Sequence, residues 1–591
     1  MGVVVPKTVA WLAVIAVASG AFVSAMAPAR ADVTPPSWTC GFSNGLEAAN
    51  PPAQLRAGTA DIYGAQITIG PGPIDWLQNS DYTVRLYLQS LKWLEPLITS
   101  GTPADLVLAR SLVAQWAQAN PVANPADDYG WTEHAVGMRA TTLACLRAVG
   151  GANAALDAQL TIHVAWLSNT AHYAGAWNHG LFEDVGLVAA ACAIGDDEGV
   201  GYGKARTEAA LPIVIDADGG TNEQAPGYAG YVYDILSKMR SALNACSEQP
   251  LSPLFARVDL IPTFMAFSVR PDGKFAALGD TVGAPRSLVP GSPLEYAASL
   301  GTLGTPPSSR LAHYAAGFAF SRSGWGTTRP FTGEDFWTLR YGPGRIIHGH
   351  NDHTSITTWA RGRSLLVDSG FSGYGKGAMR DYLQSPQAHN MTVVPGLHHL
   401  WESDTVLTGY RSTAVDETLA VKDQPYDGVT RIRTVFASHD VPITLTVDRS
   451  TSAYSRTWDQ LWHVHPDMKL ASTGAYGTRF ISTDNVTLMS LSSIPWPGRS
   501  RAALSTVSGK TAPYQGWFAE GGAAVPAPVT TFRATGKEQL QIALSIASRP
   551  GARVSWSMKP YGRTVSKLTV TIDGKPIVLH ISSGSGWIAR Q

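Results

Sequence analysis

The chain of 591 residues has few cysteines and no excess of either charge. Its four cysteines include no CxxC pair, which argues against a cysteine-based zinc site. Lysine plus arginine and aspartate plus glutamate both number 45, so the formal net charge is zero. A protein that binds nucleic acid over a long surface carries a basic excess. The sequence therefore predicts no nucleic-acid partner.

Beyond its N-terminus the chain also lacks an apolar run long enough to span a membrane. The N-terminus itself has Lys7, an apolar run over 9–23 and the small-residue sequence Ala29-Arg30-Ala31 before Asp32. This pattern is typical of a cleaved signal peptide, which we assign to 1–31. We expect a secreted or periplasmic protein without a membrane span, whose mature form has a net charge of −2 because Lys7 and Arg30 are removed.

An even number of cysteines in an exported chain makes up to two disulfides plausible. Cys40, Cys145, Cys192 and Cys246 allow three ways of forming two pairs. Their spacing does not choose among these.

The composition changes between the two halves of the chain. Apolar residues recur at helical spacing over 82–97, 105–116, 132–149, 154–167, 181–194 and 231–246. A Gly/Thr/Pro/Ser linker follows at 301–309. Short β-rich segments then lie at 317–322, 336–341, 355–359, 364–367, 430–437, 443–450, 539–548, 554–559, 567–572 and 577–581. We predict an α+β multidomain protein with helical hairpins in a ring or solenoid over 32–303 and an antiparallel β-sandwich over 310–591.

The richest cluster of chemically active residues is His348-Gly349-His350-Asn351-Asp352-His353. Histidines two apart on an extended segment project from one face, so the imidazoles of His348 and His350 should converge. Asp368 and His389 follow later in the chain. Imidazole and carboxylate groups together are suitable ligands for a zinc-type ion.

The chain resembles the heparinase II/III-like polysaccharide lyases. The resemblance rests on the helical half, the β-rich half, this HxHxD segment and the later Asp368-Ser369-Gly370. The related alginate lyases are built as an (α/α) toroid followed by an antiparallel β-sandwich. The resemblance implies that fold and a β-elimination on an anionic polysaccharide that contains uronic acid. It leaves the particular polysaccharide, endo or exo cutting and the oligomeric state open.

The resemblance also implies roles for residues of the helical half. In Trp177-Asn178-His179-Gly180, Asn178 matches the residue that neutralises the uronate carboxylate, often with the adjacent His179. In the segment 222–228, Tyr228 matches the catalytic tyrosine, although Tyr231 and Tyr233 lie nearby.

In the β-rich half, His348 matches the family's catalytic histidine. His350, Asp368 and His389 match its three metal ligands, and the segment 387–393 resembles its His-Asn-Thr-Val strand with Met391 inserted. The zinc ion is then mainly structural, because it holds the segment that carries His348.

Three further residues are candidates for substrate binding. The guanidinium of Arg139 is able to bind a carboxylate bidentately, although a surface helix charge is the alternative. Glu223 lies in the segment that leads to Tyr228, and Tyr382 precedes His389 as a possible second phenol.

These residue types suit the elimination. Donors on the carboxylate stabilise the enolate-like state formed when the C5 proton leaves. Tyr228 could be the acid and, for one uronate epimer, also the base, whereas His348 would be the base for the opposite epimer. The sequence does not choose between these assignments.

Three other functions fit parts of the pattern. The HxHxDH segment also matches zinc hydrolases, in which His348, His350, Asp352 and His353 would bind metal and activate water. A glycoside hydrolase would need a carboxylate pair, for which Glu183 and Glu223 are candidates. A secreted glycan-binding protein would use the same groove without turnover.

Overall fold

The computed structural model describes residues 40–42, 44–285 and 289–591. The expected signal peptide at 1–31 lies outside the described residues. Within them, no helix combines the length and the apolar character that crossing a membrane requires.

The first half is helical, as predicted. Its helices alternate with short turns and single-turn 3-10 segments, apart from a small hairpin of two strands near its start. The α-helices, with a last one inside the β-rich half, are α1 Leu46–Ala49, α2 Pro52–Arg56, α3 Tyr82–Ser90, α4 Glu95–Ser100, α5 Pro103–Ala119, α6 Glu133–Gly150, α7 Ala154–Leu167, α8 Asn178–Ile194, α9 Asp197–Val214, α10 Ala229–Cys246, α11 Ile261–Ser268, α12 Pro293–Ala298 and α13 Ala378–Gln384.

Two helical features differ from the sequence prediction. The segment predicted over 82–97 is broken at Leu91, whose φ of 57° lies in the left-handed region and ends α3. Helix α9 was not predicted. It contains several glycines and Pro212, which are poor helix formers, but Asp196 caps its start by accepting a hydrogen bond from Gly199 N.

The second half is β-rich and antiparallel, as predicted, apart from one parallel pair of short strands. Including the early hairpin, the strands are β1 Thr59–Ile62, β2 Ala65–Thr68, β3 Leu311–Tyr314, β4 Phe318–Arg322, β5 Phe336–Arg340, β6 Ile356–Ala360, β7 Arg363–Leu366, β8 Gly370–Phe371, β9 Thr392–Val393, β10 Thr405–Ser412, β11 Asp416–Tyr426, β12 Val429–Ser438, β13 Ile443–His463, β14 Met468–Thr473, β15 Gly477–Ser482, β16 Leu488–Ile494, β17 Ala503–Val507, β18 Lys510–Thr511, β19 Tyr514–Gln515, β20 Trp517–Glu520, β21 Val525–Pro526, β22 Val529–Ser548, β23 Val554–Pro560, β24 Val565–Ile572, β25 Lys575–Ser582 and β26 Ile588–Arg590.

Three of the sheets form successive layers. A sheet of order β3-β4-β5-β6-β7 packs on a ten-stranded sheet centred on β13 and β22, with Leu339 and Phe532 in the shared core. The other face of the large sheet covers the sheet β23-β24-β25-β26, where Leu544 contacts the core around Leu568. Because both of its faces are covered, the large sheet is apolar on both sides along much of β13 and β22.

The two halves are joined by a continuous core rather than by a linker alone. Phe264 of α11 makes edge contacts with Phe318 and Phe320 of β4, at centroid distances of 5.6 and 5.9 Å. This contact fixes the helical half against the first sheet. The domain division at residues 303 and 310 stays a prediction.

Two disulfides stabilise the helical half. Cys40 pairs with Cys145 of α6, and Cys192 of α8 pairs with Cys246 at the end of α10. This is one of the three pairings that the sequence left open.

Candidate active site

A groove of about 950 Å³ lies where the helical half meets the β-rich half. Asn178, His179 and Tyr228 line it from the helical side, and His348 lines it from the β side. These four are the predicted catalytic residues, so tertiary folding brings together side chains that are up to 170 positions apart. Further aromatic rings line the groove, and they include those of Tyr63, Tyr82, Tyr87, Trp177 and Tyr374.

Asn178 is the first residue of α8, and a buried carboxylate fixes its side chain. Its backbone N donates to Glu223 Oε1 at 2.8 Å, and its Nδ2 donates to Glu223 Oε2 at 2.9 Å. The same Nδ2 lies 3.3 Å from His348 Nε2. Glu223 thus positions the amide at the histidine.

The close packing of α8 against α6 determines where this residue lies. A Cβ on Gly186 would come within 2.4 Å of Gly137 O, and one on Gly137 would come within 2.8 Å of Phe182 O. Only glycine allows the two backbones to approach so closely. The contact between the two helices therefore helps to place the N-terminus of α8.

Tyr228 and His348 form a stacked pair across the boundary between the two halves. Their ring centroids are 3.6 Å apart and their planes differ by 14°. The hydroxyl of Tyr374 contacts the hydroxyl of Tyr228 and lies 3.3 Å from His348 Nδ1. The imidazole therefore has a phenol on its face and a second phenol at its edge.

Asp280 links the predicted catalytic histidine to a predicted metal ligand. Its Oδ2 lies 3.2 Å from His348 Nδ1, and its Oδ1 lies 3.0 Å from His350 Nε2. Arg380 of α13 forms a salt bridge with the same carboxylate at 2.6 Å. The two histidines thus converge on one carboxylate. They do so from a turn between β5 and β6, so the expectation of an extended segment with both rings on one face was wrong.

Gln224 clamps this turn to the helical half. Its Nε2 donates to the carbonyls of Pro343 and Gly344, and its Oε1 accepts from Ile346 N at 2.8 Å. A Cβ on Gly349 would come within 2.1 Å of Gln224 Oε1, so the turn passes the glutamine only because residue 349 is a glycine.

Burial changes the protonation of the groove residues. It lowers the pKa of His348 below its ordinary value, while the hydrogen bond that His348 donates to Asp280 opposes the change. Burial, reinforced by Tyr374, raises the pKa of Tyr228 well above that of a free phenol. Burial also raises the pKa of Glu223 to about 7, against the hydrogen bonds from Asn178.

The three predicted metal ligands form a buried cluster. Candidate ligand atoms of His350, Asp368 and His389 all lie within 4.8 Å of one another. His350 Nδ1 and His389 Nε2 are buried without a hydrogen-bond partner, and Asp368 Oδ2 lies 2.8 Å from His389 Nδ1. Two unpartnered imidazole nitrogens beside a carboxylate fit a divalent cation. The cluster is therefore able to hold a metal ion.

The HxHxDH segment does not form the hydrolase site that its spacing also allows. Of its members, the metal cluster in the described residues includes His350 alone. Asp352 pairs with Arg340 at 3.1 Å, and His353 Nδ1 lies 3.2 Å from Thr405 Oγ1. Each side chain is directed to its own partner, so the segment supplies one ligand and not four.

The three predicted substrate-binding residues lie outside the groove lining. Arg139 is fully buried, and its guanidinium stacks on Trp116 and donates to Gln89 O. Tyr382 is buried, and its hydroxyl accepts from Gly516 N. Glu223 is buried behind Asn178. Because all three side chains are buried, a contact with substrate does not fit these positions. The sequence pattern did not show this, since it does not distinguish a buried polar side chain from an exposed one.

Three residues at the site escaped the sequence prediction: Asp280, Tyr374 and Arg380. Tyr374 follows Asp368-Ser369-Gly370 by four positions, and that proximity was the available signal. Asp280 lies in a loop after α11 without a motif around it, so nothing in the sequence indicated its contact with His348.

Residues 315–557 match the model of the family described as heparinase II/III-like, C-terminal. This match, within the β-rich half, confirms the predicted resemblance to the heparinase II/III-like proteins. A search of curated protein sequences finds no match.

Solved structures with the same fold cover almost the whole chain. The heparan sulfate lyase HepC from Pedobacter heparinus is 17% identical, with 94% of this chain and 91% of that chain covered and a TM-score of 0.68. A crystal structure of heparinase III is 14% identical, with 93% and 94% covered and a TM-score of 0.74. The predicted toroid followed by a β-sandwich is thereby confirmed. The more specific resemblance to alginate lyases stays a prediction.

Proposed function

We propose that the protein is a polysaccharide lyase that cleaves a uronate-containing polymer by β-elimination. The observation that carries this proposal is the stacked pair of Tyr228 and His348 in the groove, with the Asn178 amide 3.3 Å from His348 Nε2. An amide donor, an imidazole and a phenol in one groove are the groups that the elimination needs. The fold shared with heparinase III supports the proposal.

In this mechanism Asn178 and His179 bind the substrate carboxylate and stabilise the charge that develops on it. In this mechanism His348 donates a hydrogen bond from Nδ1–H to Asp280, which leaves Nε2 as the basic nitrogen on the side of Asn178. His348 Nε2 then removes the C5 proton. The C4–O bond breaks, a C4=C5 double bond forms, and the departing oxygen takes a proton from Tyr228.

Glu223 and Asp280 act through these groups rather than on the substrate. Glu223 holds both the backbone and the side chain of Asn178. Asp280 sets the orientation of the His348 ring, and Arg380 holds Asp280 in place. Positioning of this kind lowers the barrier because little reorganisation remains at the moment of reaction.

We assign the metal at His350, Asp368 and His389 as zinc with a structural role. When bound, the ion would supply a fixed positive charge and would connect the turn that carries His348 and His350 to the segment that carries His389. His350 in turn contacts Asp280 through Nε2, which connects the metal cluster to the groove.

The groove favours a polymer with few sulfate groups. Among its described lining residues the lysine and arginine side chains are Lys238 and Arg380. Lys238 donates to the Gly41 carbonyl, and Arg380 is bound to Asp280. Both charges are engaged, whereas the aromatic side chains are available to stack on sugar rings. A secreted enzyme, exported through the expected signal at 1–31, would meet such a polymer outside the cytoplasm.

The test is a panel of uronate polymers, sulfated and non-sulfated, assayed for an unsaturated product by near-ultraviolet absorbance. We expect the wild-type protein to produce the chromophore and Tyr228→Phe to lose at least about 1,000-fold in kcat, because the proton donor is removed. Tyr233→Phe is the matched control, since this tyrosine is on α10 and outside the groove lining. New reducing ends without the chromophore would instead indicate a hydrolase, and binding without either product a glycan-binding protein.

A further inference from the structure

A second pocket, of about 380 Å³, lies on the other side of the turn that carries His348. Residues 347 and 348 of this turn line the catalytic groove, whereas Arg345 and Asn351 line the second pocket. The remaining walls come from the end of α13, with Gln384, and from the loop with His399 and Trp401. The size falls in the range of about 300–1,000 Å³ that is usual for small-molecule sites.

Backbone hydrogen bonds hold the walls of the second pocket together. Arg345 N donates to Trp401 O at 2.6 Å, and Asn351 N donates to Gln384 O at 3.0 Å. The three segments are therefore fixed relative to one another before any ligand binds. A preformed site of this kind loses little conformational entropy on binding.

The second pocket combines a cation with an exposed aromatic ring. Arg345 donates from Nε to Gly349 O at 3.0 Å and forms no salt bridge with any residue in the described ranges. Trp401 is 46% exposed although it is an indole. Asp381, which also lines the pocket, is exposed. A guanidinium without a salt bridge and an aromatic face that line the same pocket are suited to a ligand with both a carboxylate and an apolar ring face.

Buried polar atoms around the second pocket lack partners. Both ring nitrogens of His399 and Oδ1 of Asn351 are buried without a hydrogen bond in the structure. A buried polar group without a partner costs about 1–3 kcal/mol. A hydroxylated ligand would satisfy such atoms, and an apolar ligand would not.

We propose that the second pocket is an accessory site for an acidic sugar unit of the polymer. The carboxylate of this unit binds Arg345, its ring stacks on Trp401, and its hydroxyls bond to the polar groups around His399 and Asn351. The choice of ligand rests on the proposed function, because the same polymer must reach the groove. A chain held here at a second point has a raised effective concentration at the catalytic groove.

The first test is direct binding of a uronate disaccharide to the full-length Tyr228→Phe protein, by calorimetry. We expect two sites per chain, reduced to one by Trp401→Ala, with no binding of the matching neutral disaccharide at this site. Tyr454→Ala is the matched control, because it removes a 69% exposed aromatic ring from the β13 strand. Because binding is measured without turnover, a protein with no lyase activity would still give a clear result.

A second variant protects the test against misfolding. Gln384→Glu is nearly isosteric and adds a negative charge to the second pocket while its backbone bond to Asn351 is kept. We expect this variant to weaken disaccharide binding at the second site at least tenfold. With Tyr228 intact, Trp401→Ala and Gln384→Glu should each raise KM for long polymer several-fold without changing kcat on short oligosaccharides. A single site in the Tyr228→Phe protein that persists in Trp401→Ala, or unchanged affinity in both pocket variants, would overturn the proposal.

Discussion

Asp280 is the residue that most changes the interpretation of the histidine cluster. Sequence spacing suggested that His348 and His350 converge because they alternate along an extended segment. In the structure they lie on a turn and converge because both contact one carboxylate. The proposed base and the proposed metal ligand therefore share a partner, which links the metal site mechanically to the groove.

The division of roles between the two histidines can be tested by metal analysis. We expect His350→Ala to lose its zinc and to melt at a lower temperature, because His389 and Asp368 alone are too few ligands to hold the ion that stabilises the folded state. His348→Ala should retain one zinc per chain but lose turnover. Elemental analysis of the purified variants, combined with the lyase assay, measures both effects. A full zinc complement in His350→Ala would show that this histidine is not a ligand.

The buried carboxylate of Glu223 makes stability depend on pH. Burial raises its pKa from 4.5 to about 7 in the folded protein. The unfolded state therefore releases the Glu223 proton at a lower pH than the folded state does. The contribution of protonated Glu223 to the free energy of unfolding is present below about pH 4.5 and is lost as the pH rises through about 7.

We expect the free energy of unfolding of the wild type to fall on the order of 3 kcal/mol more than that of Glu223→Gln between these pH values. Denaturant titrations across the pH range measure the difference in slope. Glu198→Gln, changed at an exposed helix position, controls for the loss of a charge. Parallel curves for wild type and Glu223→Gln would mean that folding does not raise the pKa of Glu223.

At the scale of elements, the position of Asn178 depends on how α8 packs on α6. The sequence predicted both helices from their apolar periodicity, but the contact between Gly137 and Gly186 was not evident from it. Gly186→Ala is therefore expected to push α8 away from α6, since the added Cβ would meet a backbone carbonyl at 2.4 Å.

This substitution should destabilise the protein by about 1–3 kcal/mol through overpacking. It should also lower kcat, because Asn178 shifts with the helix. Gly201→Ala on α9 is the matched control, because its Cβ meets no atom within 4 Å and should stabilise the helix by about 0.5–1 kcal/mol. Thermal unfolding and kcat are the two measurements, and unchanged values for Gly186→Ala would contradict the close-packing argument.

Most elements were predictable as types, while their lengths often were not. Strands β13 and β22 extend well beyond the predicted 443–450 and 539–548. Their additional parts carry many polar residues, which a local pattern reads as loop. These polar parts are strands because their backbones hydrogen-bond to each other, and a local sequence pattern does not show this long-range pairing.

At the scale of the whole molecule, the two disulfides have different relations to the groove. Cys40 is followed by Gly41 and Phe42, which line the groove, so its bond to Cys145 holds part of the groove wall. The Cys192–Cys246 bond joins α8 and α10, and its cysteines lie outside the groove lining.

We expect removal of either bond by paired serine substitution to cost about 2–4 kcal/mol of stability. Only the Cys40→Ser/Cys145→Ser variant should also raise KM for the polymer, because the segment at 40–42 loses an anchor. Denaturant unfolding and steady-state kinetics of the two double variants make the comparison. An equal rise in KM for both would show that the effect is one of general stability.

The sequence by itself determined the order of a helical and a β-rich half, and it indicated the groups that line the groove and those of the possible metal cluster, because periodicity and short motifs are local. The tertiary structure alone decided that Arg139 and Tyr382 are buried away from the groove and that Asp280, Tyr374 and Arg380 belong to the site. It also selected one disulfide pairing. These outcomes depend on which side chains meet across long separations, and the packing of the whole chain determines those meetings.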